Sequence, residues 1–208
     1  MTVRVESTAD RQFGTNSYLV EDETTRDAVV IDANLEPQEM VELAHSRGAN
    51  VKAILLTHTD IDHVGGLTAL LEAFGPIPVG VHDAERKVVT EGTPLRREFG
   101  TPTSPVENVV NLAEGETFRA GSLTFEVLHT PGHSPGGVTL KIGGNLFTGD
   151  ALFAGSIGRS DFSNSDGAVL LDAITTKLFA QPDELVVFSG HGPATTIGRE
   201  RRTNPFLT

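Results

Sequence analysis

Thr57-His58-Thr59-Asp60-Ile61-Asp62-His63, followed by Val64-Gly65-Gly66, decides how this chain is read. It comes directly after the apolar run Val51-Lys52-Ala53-Ile54-Leu55-Leu56. Two imidazoles and two carboxylates fall within six positions. Those ligand types suit zinc, iron and manganese. A turn that ends a buried strand with four such groups is poor material for a core and good material for holding metal. The plainer alternative is a polar loop whose histidines cap the next helix. It loses ground because the rest of the chain supplies the missing ligands.

Those ligands come in three further turns. His129-Thr-Pro-Gly-His133-Ser-Pro-Gly136 follows the alternating strand 123–127 and sets His133 in a loop punctuated by Pro and Gly. Asn145-Leu-Phe-Thr-Gly149-Asp150 is a short apolar strand that ends in Gly and then an acid. Leu185-Val-Val-Phe-Ser-Gly190-His191-Gly192 is a strong strand ending in Gly-His-Gly. The order of hydrophobic strand, small-residue turn and metal-competent side chain thus recurs. Strand ends gathered on one sheet edge are where α/β proteins place their sites.

This pattern resembles the metallo-β-lactamase superfamily, whose signature is His-x-His-x-Asp-His followed by a distant His, an Asp and a last His. The matching positions are His58, Asp60, Asp62, His63, His133, Asp150 and His191. Residues 149–162 and 190–206 look like the small, single-domain branch related to glyoxalase II, the hydroxyacylglutathione hydrolase-like enzymes. The resemblance implies an α/β (α+β) fold of the αββα four-layer sandwich type, as one domain over residues 1–208. It also implies two divalent metal ions, zinc first, with iron or manganese compatible. The first would be held by His58, Asp60, His133 and Asp150, the second by Asp62, His63, Asp150 and His191.

One position departs from the pattern: Asp60 stands where the signature has its second His. A carboxylate oxygen binds zinc at roughly 2.0–2.2 Å, much as imidazole nitrogen does, so Asp60 is expected to ligate the first ion through one oxygen. What changes is charge. Three carboxylates and one hydroxide facing two divalent ions make a neutral cluster, a weaker Lewis acid that holds harder ions such as manganese or iron comparatively well. Asp60→His is then expected to keep the fold and shift the metal preference toward zinc.

Composition supports a single soluble domain. A chain of 208 residues can bury about 70% of its unfolded surface. It has no cysteine for disulfides or thiolate ligands. A net charge of −12 argues against nucleic-acid binding, which demands basic surface. No apolar run reaches signal or membrane-spanning length, so no membrane association and a cytoplasmic location are expected. Monomer and homodimer both stay open.

Along the chain, 3–6, 17–21 and 28–31 read as an antiparallel start. A helix is expected over 36–46, closed by Gly48, then strand 52–56 and a helix over 64–74 stopped by Gly75-Pro76. Strand 77–81 and a small helix over 83–89 follow. Residues 90–105, rich in Gly, Pro and Thr, are the candidate for a mobile flap over the site. Mostly strands are expected over 116–148, a helix over 166–179, and a short helix or turn over 197–202.

His45 reads as solvated and His82 as a helix cap. His129 reads as a strand residue, since Pro131 and Gly132 preclude helical spacing to His133. Thr57 and Ser134 sit beside ligands, where they could orient imidazole N–H groups. Asp32 reads equally as an acceptor behind the ligands or as a turn residue. For Arg159 and Asp161, an ion pair and a substrate contact are both open; an Arg159 that points into the cleft would bind a carboxylate on the substrate.

The implied chemistry is hydrolysis by a metal-bound hydroxide, formed because two divalent ions lower the pKa of a bridging water toward about 7. Asp62 is the expected catalytic acceptor or orienter of that proton, besides being a ligand. A small-molecule thioester is the favoured substrate, because a thiolate leaves without protonation and no separate general acid stands out. Three alternatives compete. They are a mononuclear-iron sulfur (persulfide) dioxygenase using His58, His133 and Asp150, a lactone or ester hydrolase of the same superfamily, and an inactive metal-binding scaffold.

Overall fold

The computed structural model describes residues 2–96 and 103–207. Much of the expected flap, 97–102, lies outside the described residues. The first sheet runs in the order β1 (Val3–Ala9), β2 (Asn16–Asp22), β3 (Asp27–Ile31), β4 (Asn50–Leu55), β5 (Val79–Val81) and β6 (Val109–Asn111). Its first two pairings are antiparallel and the rest parallel. Parallel neighbours need crossovers. These are α1 (Pro37–Arg47), the pair α2 (Ile61–Val64) and α3 (Leu67–Phe74), and a 3-10 turn Asp83–Glu85 running into α4 (Arg86–Glu91).

The second sheet is built from β7 (Thr117–Ala120), β8 (Leu123–His129), β9 (Val138–Ile142) and β10 (Asn145–Gly149), all antiparallel. A two-stranded ribbon, β11 (Leu152–Phe153) with β12 (Ser156–Ile157), and α5 (Gly167–Ala173) with its π-helical extension Ile174–Leu178 then cross over. They lead to β13 (Val186–Ser189), parallel to β10, and β14 (Thr195–Thr196), before α6 (Ile197–Thr203) closes the described chain.

Alternation along the central strands makes the layers, because successive side chains point to opposite faces. Val29, Ile31, Ala53 and Leu55 meet Phe125, Val127, Leu140 and Phe147 of the second sheet. Val30, Ile54 and Leu56 face the other way, onto Met40, Leu67 and Leu70 of α1 and α3. Behind the second sheet, Leu146 and Val187 pack on Leu170, Ile174, Leu178 and Ile197. The result is the four-layer αββα sandwich expected. Among the described residues no helix is long and apolar enough to cross a membrane.

Two helices differ from expectation. The stripe over 64–74 is not one helix but breaks at Gly65-Gly66. There the loop after β3 takes the backbone groups: Ala33 N–H donates to His63 O at 2.7 Å, and Gly66 N–H donates to Ala33 O at 2.9 Å. A Cβ on Gly66 would stand 2.2 Å from Asn34 O. The helix over 166–179 starts as expected, with Asp166 accepting from Ala168 N and Val169 N, but its second half is π-helical.

Candidate metal centre

The segments after four strands, β4, β8, β10 and β13, bring the seven sequence-selected side chains to one edge of the sandwich. Asp32, at the end of β3, adopts the left-handed conformation at φ 61°, which a non-glycine residue accepts only when its surroundings hold it there. Its Oδ1 accepts from Thr57 N at 2.7 Å, and its Oδ2 from the Thr57 hydroxyl at 2.8 Å and His63 Nδ1 at 2.9 Å. The acceptor role for Asp32 holds. Because the Thr57 hydroxyl spends its proton on Asp32, it accepts from His58 Nδ1, 3.1 Å away. His133 Nδ1 donates to Arg159 O at 2.8 Å. In all three imidazoles Nδ1 therefore carries a proton, and Nε2 is the nitrogen that faces the centre.

The Nε2 atoms and carboxylates enclose a small polar space. Asp60 Oδ2 lies 3.0 Å from His133 Nε2 and 3.8 Å from His58 Nε2. Asp62 Oδ2 lies 3.3 Å from His191 Nε2 and 3.5 Å from His63 Nε2. Asp150 sits between the two sets, 3.3 Å from His63, 3.7 Å from His133 and 3.4 Å from His191. His58, Asp60 and His133 form one group of atoms within 4.8 Å of one another; His58, His63 and Asp150 form a second, and Asp62, His63 and His191 a third. His58 Nε2, His63 Nε2 and Asp150 Oδ1 are buried without a hydrogen-bond partner among the described residues. Buried polar atoms left this way are costly. Three of them converging, all good donors to a divalent cation, fit a metal centre.

Without metal, protons carry the compensating charge. Burial opposes ionisation of Asp60, Asp62 and Asp150, yet each carboxyl is held below the usual carboxylate range. His133, His58 and Arg96 outweigh burial at Asp60, His63, His191 and Thr15 at Asp62, and His63 and His191 at Asp150. Burial likewise opposes charging His191, but hydrogen bonds to Asp150 and Asp62 lift it to about 10. Asp150 and Asp32 raise His63, and Asp60 and Asp150 raise His133, against the same penalty. His58 goes the other way, lowered by burial and by the neighbouring His63.

Arg96 is what the sequence did not disclose. It is 6% exposed. Its Nε donates to Asp60 Oδ1 at 2.7 Å and its Nη2 to Oδ2 at 3.0 Å. The expected neutral cluster is thereby corrected: a fixed positive charge stands against Asp60, so the ligand side carries one negative charge fewer than the motif suggests. Two other supports were also missed. The Thr15 hydroxyl donates to Asp62 Oδ2 at 2.7 Å. Glu85 accepts from Thr59 N, the Thr59 hydroxyl and Gly136 N, each at 2.7 Å. All three lie far from the motif in sequence, at positions that no spacing to it marks.

Of the remaining residues, Ser134 does not orient an imidazole: its buried hydroxyl has no hydrogen-bond partner among the described residues. His82 caps the 3-10 turn through Ala84 N, His129 ends β8 and stacks on His82 at 4.1 Å, and His45 is exposed on α1. Arg159 forks onto Asp161 at 3.0 Å by two bonds and also lines the cleft over the centre. That cleft holds about 400 Å³, and Phe13, Ile61, Phe153, Ile157 and Phe162 form its apolar wall.

Residues 10–191 match the model of the metallo-beta-lactamase superfamily. The chain belongs to that superfamily. It is 36% identical over 204 residues to hydroxyacylglutathione hydrolase GloC of Haemophilus influenzae, covering 94% of this chain and 93% of that one. Among solved structures, BLEG-1 B3 metallo-beta-lactamase superposes with a TM-score of 0.89 at 35% identity, covering 99% of this chain and 100% of that one. TTHA1623 in a di-iron-bound form superposes with a TM-score of 0.84 at 38% identity, covering 98% and 100%. The chain is thus a metal-binding hydrolase of the metallo-beta-lactamase fold.

Proposed function

We propose that residues 1–208 form a single dinuclear metallohydrolase domain acting on thioesters, with His58, Asp60, His133 and Asp150 holding one divalent ion and Asp62, His63, Asp150 and His191 the other. The observation that carries the reading is the position of Asp150, within 3.7 Å of the Nε2 atoms of His133, His63 and His191 and so in reach of both ligand groups. Ions bound there would supply a water of lowered pKa and a Lewis acid for the carbonyl.

The chain's own residues do the rest. Asp62 lines the cleft, and the Thr15 hydroxyl holds it in place to accept the nucleophile's proton. The apolar wall seats an acyl group and keeps bulk water away from the carbonyl. Among the residues lining the cleft, the ionisable side chains are Arg159 and members of the ligand set. Among the described residues that line the cleft, no separate acid stands ready to protonate a leaving group, which suits a thiolate that departs unprotonated. The similarity to a hydroxyacylglutathione hydrolase supports the same chemistry.

A second reading rests on one group alone. His58, Asp60 and His133 form a two-histidine, one-carboxylate set, the arrangement of mononuclear iron oxygenases. It uses Asp60 rather than the Asp150 expected from sequence. The deciding experiment loads the protein separately with zinc, manganese and iron and assays hydroxyacylglutathione, simpler thioesters, lactones and a persulfide. Thioester hydrolysis faster than lactone hydrolysis supports the proposal. Oxygen consumption with the persulfide and iron, without hydrolysis, supports the second reading.

A further inference from the structure

A carboxylate at position 60 cannot be understood apart from Arg96. Among the described residues, Arg96 is the only Lys or Arg that pairs with a member of the ligand cluster, and its side chain is 4% exposed. Four contacts fix it. The fork on Asp60 takes Nε and Nη2; Nη1 donates to Asn164 Oδ1 at 2.5 Å, and Nη2 also reaches His133 O at 3.2 Å. The guanidinium carbon lies 3.7 Å from the centroid of the Phe162 ring. A planar, permanently charged fork suits such a site, and an ammonium cannot reproduce it.

The geometry has two consequences. Asp60 Oδ1 accepts from Arg96 Nε alone, while Oδ2 accepts from Nη2 at 3.0 Å and also stands 3.0 Å from His133 Nε2. The fork therefore fixes the carboxylate plane so that Oδ2 is the oxygen turned toward the centre. It also cancels the charge: carboxylate plus guanidinium sum to zero, as a neutral imidazole does.

We infer that Asp60 and Arg96 act as one neutral ligand unit, with Arg96 as a positioning residue that aims Asp60 and compensates its charge at the first ion. This rests on the reading of Asp60 as a ligand in the proposed function. It also reverses the expectation that Asp60→His would improve zinc binding. With His at 60, the Arg96 charge stays buried beside a divalent ion with no counter-charge, the situation in which breaking a buried pair is most damaging. Asp60→His should therefore be harmful alone and tolerated only when Arg96 is neutralised too.

The test is a double-mutant cycle in the full chain: wild type, Asp60→His, Arg96→Met and Asp60→His/Arg96→Met. The readout is zinc affinity, measured by competition with a chromophoric chelator, alongside circular dichroism of the metal-free proteins. Asp60→His should weaken the first zinc by at least about tenfold, and adding Arg96→Met should restore at least about tenfold. Should Asp60→His not fold, Asp60→Asn, close in shape to the native residue, runs the same cycle and should show the same rescue. Independent effects at the two positions, or an Asp60→His protein that binds two zinc ions as tightly as wild type, would overturn the pairing while leaving the ligand assignment intact. A wild-type protein that binds no zinc, manganese or iron would overturn both.

Discussion

Asp62 and Asp150, the proposed metal ligands, depend on neighbours outside the ligand set. Thr15 is fully buried and spends its hydroxyl on Asp62. Thr15→Val keeps the shape and removes that donor. It should retain metal, as counted by elemental analysis, while kcat/KM falls by about 10–100-fold; unchanged turnover would show that Asp62 needs no such support. Gly190 makes a different demand. A Cβ there would stand 2.2 Å from Asp150 Oδ1 and 2.6 Å from His63 Cε1. Gly190→Ala should lose metal affinity while its far-ultraviolet circular dichroism stays native, and retention of wild-type affinity would mean that Asp150 can shift freely. The seven clustered residues were legible in the sequence because each follows a strand and each is chemically conspicuous. Arg96, Thr15 and Glu85 were not, because a buried hydrogen bond to a ligand leaves no local pattern.

Elements hold the ligand loops at fixed spacing, and Glu85 shows how. Its carboxyl group, 1% exposed, ties the loop after β4 to the loop after β8 through Thr59 and Gly136. Glu85→Ala leaves two buried backbone N–H groups without acceptors, at a cost of about 1–3 kcal/mol each. Its metal-free Tm should drop clearly, and Glu85→Gln, which keeps one acceptor, should drop less. Equal Tm values for all three proteins would count against the strap. Alternation and turn residues made most strands and α1 readable in the sequence. The break at Gly65-Gly66 was not readable, because the apolar stripe continues across it. What interrupts the helix is the close approach of the 33–34 backbone, a contact between segments some thirty residues apart.

For the whole molecule, the −12 net charge meets its concentrated counterpart at the centre, where protons or cations must balance the buried acids. The protonated imidazoles set a pH dependence with a definite sign. His191 has its pKa raised from 6.5 to about 10 on folding, so its contribution is complete below pH 6.5 and lost as pH rises through 10. His63 and His133, raised likewise, act in the same direction. The metal-free protein should therefore lose Tm between pH 6.5 and 10. The loaded protein should lose much less, since bound ions need the imidazoles neutral and stabilise the folded state by mass action. Parallel Tm profiles with and without metal would contradict this.

In the proposed dinuclear centre one carboxylate, Asp150, joins two ion sites, with Asp60 completing the first. Anomalous diffraction from zinc-loaded crystals measures it directly. Two peaks are expected about 3.5–4 Å apart flanking Asp150, with Asp60 Oδ2 at roughly 2.0–2.2 Å from one of them and its other oxygen still on Arg96. A single peak at full zinc occupancy, or an Asp60 carboxylate well outside the bonding distance, would contradict it.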